Sequence, residues 1–148
     1  MATKTLKKAQ PKQTKWLLPM ILIGIAVIVG AVFLLTNNGN DAKGLPATVS
    51  VTKAAQMFNE GAFLLDVRTV EEWNQAHVDG AVLIPLDQLS ARISEVPADQ
   101  DVLILCRSGN RSGQARDLLR AAGLKQTTSV SGGINAWMAN SLPVVTGP

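Results

Sequence analysis

The chain has 148 residues, with 14 Lys+Arg, 11 Asp+Glu, one Cys and one His, a length that suits one domain rather than two. Its net charge of +3 is unevenly spread: Lys4, Lys7, Lys8, Lys12 and Lys15 precede any acidic residue, while the stretch from Asp41 onward holds 9 Lys/Arg against 11 Asp/Glu, a difference of −2. The basic balance therefore belongs to a tail, no nucleic-acid-binding signature is present, and one Cys with one His makes no credible metal site.

Residues 1–15 form this basic tail. Residues 16–36, WLLPMILIGIAVIVGAVFLLT, carry no charge. An α-helix rises about 1.5 Å per residue, so about 20 residues cross a hydrocarbon core of about 30 Å. No polar face interrupts the run, and a transmembrane helix is expected over 16–36. A cleaved signal peptide is the alternative. Its apolar region would be about 7–15 residues and would end in a small-x-small pattern, which FLLT lacks. Pro19 sits in the first turn, where a helix tolerates it. Five lysines precede the span and Lys43 alone follows closely. That asymmetry predicts a single-pass cell-membrane protein with its N-terminus in the cytoplasm and the rest extracytoplasmic. Residues 37–46 are polar with two Gly and one Pro and read as a flexible linker. Residues 47–148 remain for the domain.

Within that domain, short apolar runs alternate with helical patterns. Residues 48–51, TVSV, predict a first strand, and Thr52 an N-cap for a helix to Asn59 that buries Ala55 and Phe58. Residues 62–67, AFLLDV, form an apolar run broken by one acid, as in a strand covered on both faces. Thr69 to Glu72 has the form of a capping box, so a helix starts there. Residues 81–84 predict a strand ended by Pro85, and residues 87–94 a helix with Leu89 and Ile93 on one face. Residues 101–105, DVLIL, predict the strand before Cys106. Residues 111–122 form an amphipathic pattern with Ala115, Leu118, Leu119 and Ala122 inward and Gly123 at its end. Residues 127–130 predict a last strand, and Gly132-Gly133 open a helix carrying Ala136 and Trp137. Such alternation implies an α/β fold with a mostly parallel sheet and helices on both faces.

Sites in these sheets form beyond the carboxyl ends of the strands. There stands LILCRSGNRSG, residues 103–113, with the only cysteine. A turn between strand and helix aims backbone N–H groups inward, and the helix start adds positive potential. Arg107 and Arg111 add charge. All of these favour thiolate, the nucleophilic form. Gly109 permits a conformation that larger residues resist. The plain alternative for Cys106 is a small apolar residue ending a buried strand. The same donors hold an anion, so a negatively charged substrate is expected. A C-x5-R loop would cradle a phosphate; here the spacing from Cys106 to Arg111 is C-x4-R. One residue fewer tightens the ring of N–H groups, which suits a single terminal sulfur on Cys106 better than a phosphate.

Three motifs, LLDVRTVEEWNQAHVDGAVLIPL, LCRSGNRS and VSGGINAW, stand in order and spacing that resemble the single-domain rhodaneses, a family of sulfurtransferases. The resemblance runs from about Val49 to Gly147. It implies a rhodanese-like parallel five-stranded sheet flanked by helices on both faces, here preceded by one transmembrane helix. It also implies that Cys106 takes a sulfane sulfur from thiosulfate or a similar anionic donor, becomes a persulfide, and passes the sulfur to cyanide, a thiol or a protein acceptor. No cofactor is implied. Arg107, Ser108, Gly109, Asn110, Arg111 and Ser112 would form the substrate cradle. Asp66 and Arg68 match the family's D-x-R pair; a structural pair is the plainer reading, since an unpaired buried charge costs several kcal/mol. His77 matches the family's histidine, although Ala76 stands where Gly is usual. For this lone His, a structural hydrogen bond competes with a general-base role. Glu71 and Glu72 read as a helix start, and Trp73 and Trp137 as packing. A non-catalytic module that holds a partner at the membrane, and a cysteine phosphatase or arsenate reductase on the same scaffold, are the competing readings.

Overall fold

The computed structural model describes residues 44–148. The basic tail, the apolar span at 16–36 and residues 37–43 of the expected linker lie outside the described residues. Among the described residues, no helix is long and apolar enough to cross a membrane.

The elements follow in chain order: β1 (Thr48–Val49), α1 (Val51–Asn59), β2 (Phe63–Asp66), α2 (Val70–Gln75), β3 (Val82–Leu83), α3 (Leu86–Leu89), a 3₁₀ turn (Ile93–Glu95), β4 (Val102–Leu105), α4 (Asn110–Ala121), β5 (Thr127–Val130) and α5 (Gly133–Ala139). The five strands make one sheet in the order β1-β5-β4-β2-β3. Every neighbouring pair is parallel, as the strand–helix alternation predicts.

Side chains alternate across the central strands, as the two-residue period of a strand requires, and split the interior in two. Leu64, Leu103, Leu105 and Val130 pack with Ala54, Met57, Ile134 and Trp137 on the face covered by α1 and α5. Leu65, Val102, Ile104 and Cys106 pack with Ile84, Leu89, Ala115 and Leu119 on the face covered by α3 and α4. Both faces of β2 and β4 are thus dry, which is why their sequences are continuous apolar runs. Cys106 continues the period of Val102 and Ile104, so its side chain points to the α4 face.

Several boundaries differ from the sequence expectation. The first helix is capped by Ser50, not Thr52: the Ser50 hydroxyl accepts the Lys53 N–H at 3.2 Å. That cap pulls Val51 into the first turn and ends β1 at Val49. Ala54 and Met57 are buried beside Ala55, while Phe58 is half-buried. The helix expected over 87–94 is one α-turn followed by a separate 3₁₀ turn. Its backbone bonds tighten to three-residue spacing at Ala91 and Arg92, a common ending for so short a helix. In α4, Leu118 is half-buried and Ala122 is exposed rather than inward, because the helix ends at Ala121 and Gly123 turns the chain away with φ +99°. The capping box holds: Thr69 Oγ1 accepts the Glu72 N–H at 3.3 Å and Glu72 Oε2 accepts the Thr69 N–H at 3.1 Å.

The last residues of the expected linker are anchored. Leu45 packs against the α1 face of the core, and the Arg120 guanidinium donates to the carbonyls of Leu45, Pro46 and Thr127.

Candidate active site

Cys106 follows β4, the central strand, and α4 begins four residues later. Gly109 takes φ +108°, a region where only glycine is unstrained. The reversal turns the Gly109 N–H back onto Cys106 Sγ at 3.0 Å. Ser112, one turn into α4, places its hydroxyl 3.4 Å from the sulfur. That hydroxyl also lies 3.0 Å from the Gly109 carbonyl and 2.7 Å from the Ser129 hydroxyl of β5. The loop is fastened from the other side by the start of α5: Ile134 N–H donates to the Cys106 carbonyl at 2.8 Å and Asn135 N–H to the Arg107 carbonyl at 3.2 Å. This approach needs glycine at 133, since a Cβ there would stand 2.2 Å from the Cys106 carbonyl oxygen.

The thiol is buried, with the residue 1% exposed. Burial is the largest single influence on its ionisation and pushes it up. The Ser112 hydroxyl and the backbone N–H groups of Ser112, Gly109 and Ser108 together outweigh burial and hold Cys106 below its ordinary value. The thiolate is therefore stabilised by neutral donors at short range.

The two arginines differ in a way the sequence does not show. Arg111 is held in a two-pronged pair by Glu72, with Nη1–Oε2 at 2.6 Å and Nη2–Oε1 at 2.7 Å. The Arg111 bonds hold the Glu72 carboxyl down at about 2, against burial. Arg107 is exposed and has no ion-pair partner among the described residues. It lines a recess of about 370 Å³ with Arg68, Glu72, Gln75 and Asn135. Ser108 and Asn110 are exposed at the loop surface.

Asp66 and Arg68 are buried together at the end of β2. Arg68 Nη2 lies 2.6 Å from Asp66 Oδ2, and its remaining N–H groups reach the carbonyls of Ala76 and Glu72. The pair ties the end of β2 to the carbonyls of the last turn and C-cap of α2. His77 stacks on Trp73, with ring centroids 3.8 Å apart. Its Nδ1 lies 3.1 Å from the Trp73 carbonyl, which can only accept, so Nδ1 carries the proton. The His77 backbone pairs with Val145, and no hydrogen bond links His77 to Cys106 among the described residues. Of the expected loop residues, Gly109 and Ser112 contact the Cys106 sulfur, Arg107, Ser108 and Asn110 are exposed and Arg111 pairs with Glu72. Asp66, Arg68 and His77 make no hydrogen bond to the sulfur among the described residues. Trp137 is buried and donates to the Pro143 carbonyl. No cluster of three or more His, Cys, Asp or Glu able to hold a metal occurs among the described residues.

Two participants were absent from the sequence reading of the site: Ser129, and Glu72 in its role beyond the capping box. Glu72 and Arg111 are 39 residues apart, and Ser112 and Ser129 are 17 apart; no local pattern marks either pair.

Residues 50–140 match the Rhodanese-like domain family. A "Sulfurtransferase" of Allochromatium vinosum is 41% identical over 86 residues, covering 58% of this chain and 80% of that protein. "Thiosulfate sulfurtransferase 16, chloroplastic" of Arabidopsis thaliana is 33% identical over 114 residues, covering 67% of this chain and 92% of the relative. The solution structure of a rhodanese-like domain from Anabaena superposes with a TM-score of 0.63 at 25% identity, over 69% of this chain and 80% of that one. With a cysteine loop of this form on this sheet, the chain belongs to the rhodanese-like domain family.

Proposed function

We propose that the protein is a sulfurtransferase that carries a sulfane sulfur as a persulfide on Cys106. One observation carries the reading: a buried sulfur that faces hydrogen-bond donors instead of apolar neighbours alone, with its ionisation shifted toward thiolate. A cysteine present only for packing has no use for such donors. The relatives named as sulfurtransferases support the same chemistry.

With thiosulfate as donor, the Cys106 thiolate attacks the outer sulfur. The new S–S bond forms as the bond to the sulfonate sulfur breaks, and sulfite leaves with the electron pair. The Gly109 and Ser108 N–H groups and the Ser112 hydroxyl then face the persulfide anion, which keeps the single negative charge of the thiolate. Cyanide or a thiolate acceptor next attacks the terminal sulfur, and Cys106 leaves as thiolate. No general base is needed when the thiolate is preformed, which agrees with His77 being bonded elsewhere. The exposed Arg107 offers its charge to the anionic donor beside the recess.

The reading extends to placement: a transmembrane anchor at 16–36 would hold the domain at the extracytoplasmic face of the cell membrane. The uncharged 21-residue run and the five lysines before it support this. Protease treatment of sealed cells tests it; digestion of the domain only after permeabilisation overturns it. The transfer itself is tested by thiosulfate:cyanide sulfur transfer, with Cys106→Ser as control. Thiocyanate formation that survives Cys106→Ser overturns the assignment. Partner capture that survives the same substitution, with no transfer by the unaltered protein, favours the binding-module reading. Turnover of an aryl phosphate favours the phosphatase reading, against which the shorter loop argues.

A further inference from the structure

We propose that Glu72 sets the charge preference of the site, disfavouring doubly charged sulfur donors relative to singly charged ones. The proposal rests on the sulfur-transfer reading and deepens it.

Two independent features place Glu72 in this role. First, its carboxylate takes both forks of the Arg111 guanidinium, at 2.6 and 2.7 Å. Arg111 stands at the start of α4, directly before Ser112, whose hydroxyl lies 3.4 Å from the Cys106 sulfur. A two-pronged pair fixes the guanidinium in direction as well as in charge. Arg111 cannot turn to a donor without giving up Glu72, and the field it presents over the sulfur is offset by the carboxylate. Second, Glu72 also lines the recess beside Arg107, with Gln75 and Asn135. The recess is lined by Arg68 and Arg107 as well as Glu72, so an anion drawn to the two guanidinium groups is opposed by a negative charge among the lining residues. Thr69 and Glu72 already complete the capping box at the start of α2, a task glutamine performs equally well. The negative charge is therefore surplus to the helix cap and acts on the site.

The consequence follows from Coulomb's law. A fixed negative charge beside the site opposes each unit of donor charge, so its effect on thiosulfate is about twice that on a singly charged thiosulfonate. At the separations of neighbouring side chains in a half-wet site, removing it changes affinity on the order of fivefold per unit of donor charge at low ionic strength. Added salt shrinks the effect.

The test is steady-state sulfur transfer to cyanide by the unaltered protein and by Glu72→Gln, Gln75→Glu and Glu95→Gln, with thiosulfate and with the methanethiosulfonate anion as donors. Glu72→Gln is expected to lower KM at low ionic strength by about fivefold for methanethiosulfonate and on the order of 25-fold for thiosulfate, the square of that factor. The gap between donors should narrow as salt is raised. Gln75→Glu adds a second carboxylate to the recess wall without touching the pair, and should move both KM values the opposite way. Glu95→Gln removes a charge from an exposed pair elsewhere and should leave both donors unaffected. Equal changes for the two donors, or unchanged KM values in Glu72→Gln and Gln75→Glu, overturn the proposal while the unaltered protein remains active. Inactivity of the unaltered protein with both donors overturns the sulfur-transfer reading, and this proposal falls with it.

Discussion

Replacing Ser112 with alanine probes the thiolate directly. A hydroxyl carries one proton, yet the Ser112 hydroxyl has three neighbours: Cys106 Sγ at 3.4 Å, the Gly109 carbonyl at 3.0 Å and the Ser129 hydroxyl at 2.7 Å. While Cys106 is a thiol, the Ser112 proton is free for the Gly109 carbonyl. Once Cys106 ionises, that proton serves the sulfur, and Ser129 donates to Ser112. Ser112→Ala removes this donor and leaves the backbone N–H groups in place. A hydrogen bond to a charged group is worth about 1.5–3 kcal/mol. The long contact to a diffuse sulfur puts this one near the lower end, about 1.5 kcal/mol, or about one unit of Cys106 ionisation. The assay is the rate of iodoacetamide alkylation against pH, in which the midpoint should rise by about one unit. The stability linkage has a definite sign. The folded thiol ionises below its unfolded value, so it adds stability above the unfolded value, and this is lost as pH falls through the folded one. Ser112→Ala should shrink that alkaline gain. An unchanged alkylation midpoint in a folded variant refutes the account of how the sulfur is ionised.

Other expectations follow from the same contacts. Ser129→Ala should raise the alkylation midpoint in the same direction by less, since it acts through Ser112. Gly133→Ala meets the Cys106 carbonyl oxygen at 2.2 Å and the Arg107 carbonyl carbon at 2.7 Å; it should cost about 3 kcal/mol or more in urea unfolding, from strain and overpacking. Asp66→Ala leaves the Arg68 guanidinium buried and unpaired, so a loss of about 3–5 kcal/mol is expected by the same measurement. Glu72 is held at about 2 against an unfolded value near 4.5. Its stabilising effect is complete above 4.5 and is lost as pH falls from there toward 2. An acid titration followed by circular dichroism should show Glu72→Gln without this component.

Much of the fold is legible because its central strands are dry on both sides. The runs at β2 and β4 and the paired Thr69 and Glu72 are local signals, and each has the expected structural result. Helix starts are less legible where two capping residues compete: Ser50 and Thr52 are both plausible caps, and packing of Val51 and Ala54 in the core selects Ser50. The site divides in the same way. The loop from Cys106 to Ser112 is contiguous, so its residue types and spacing announce it. Its second layer is assembled by the sheet order. β5 lies beside β4, which brings Ser129 under Ser112, and the crossing from β2 to α2 brings Glu72 to Arg111. The two loop arginines look equivalent in sequence. They part only when one meets a carboxylate from a distant helix.

The most direct measurement is the intact mass of the purified protein after thiosulfate treatment without reductant. A gain of one sulfur atom, lost on adding cyanide with release of thiocyanate and absent in Cys106→Ser, is the predicted result. An unchanged mass, or a gain that persists in Cys106→Ser, contradicts a persulfide on Cys106.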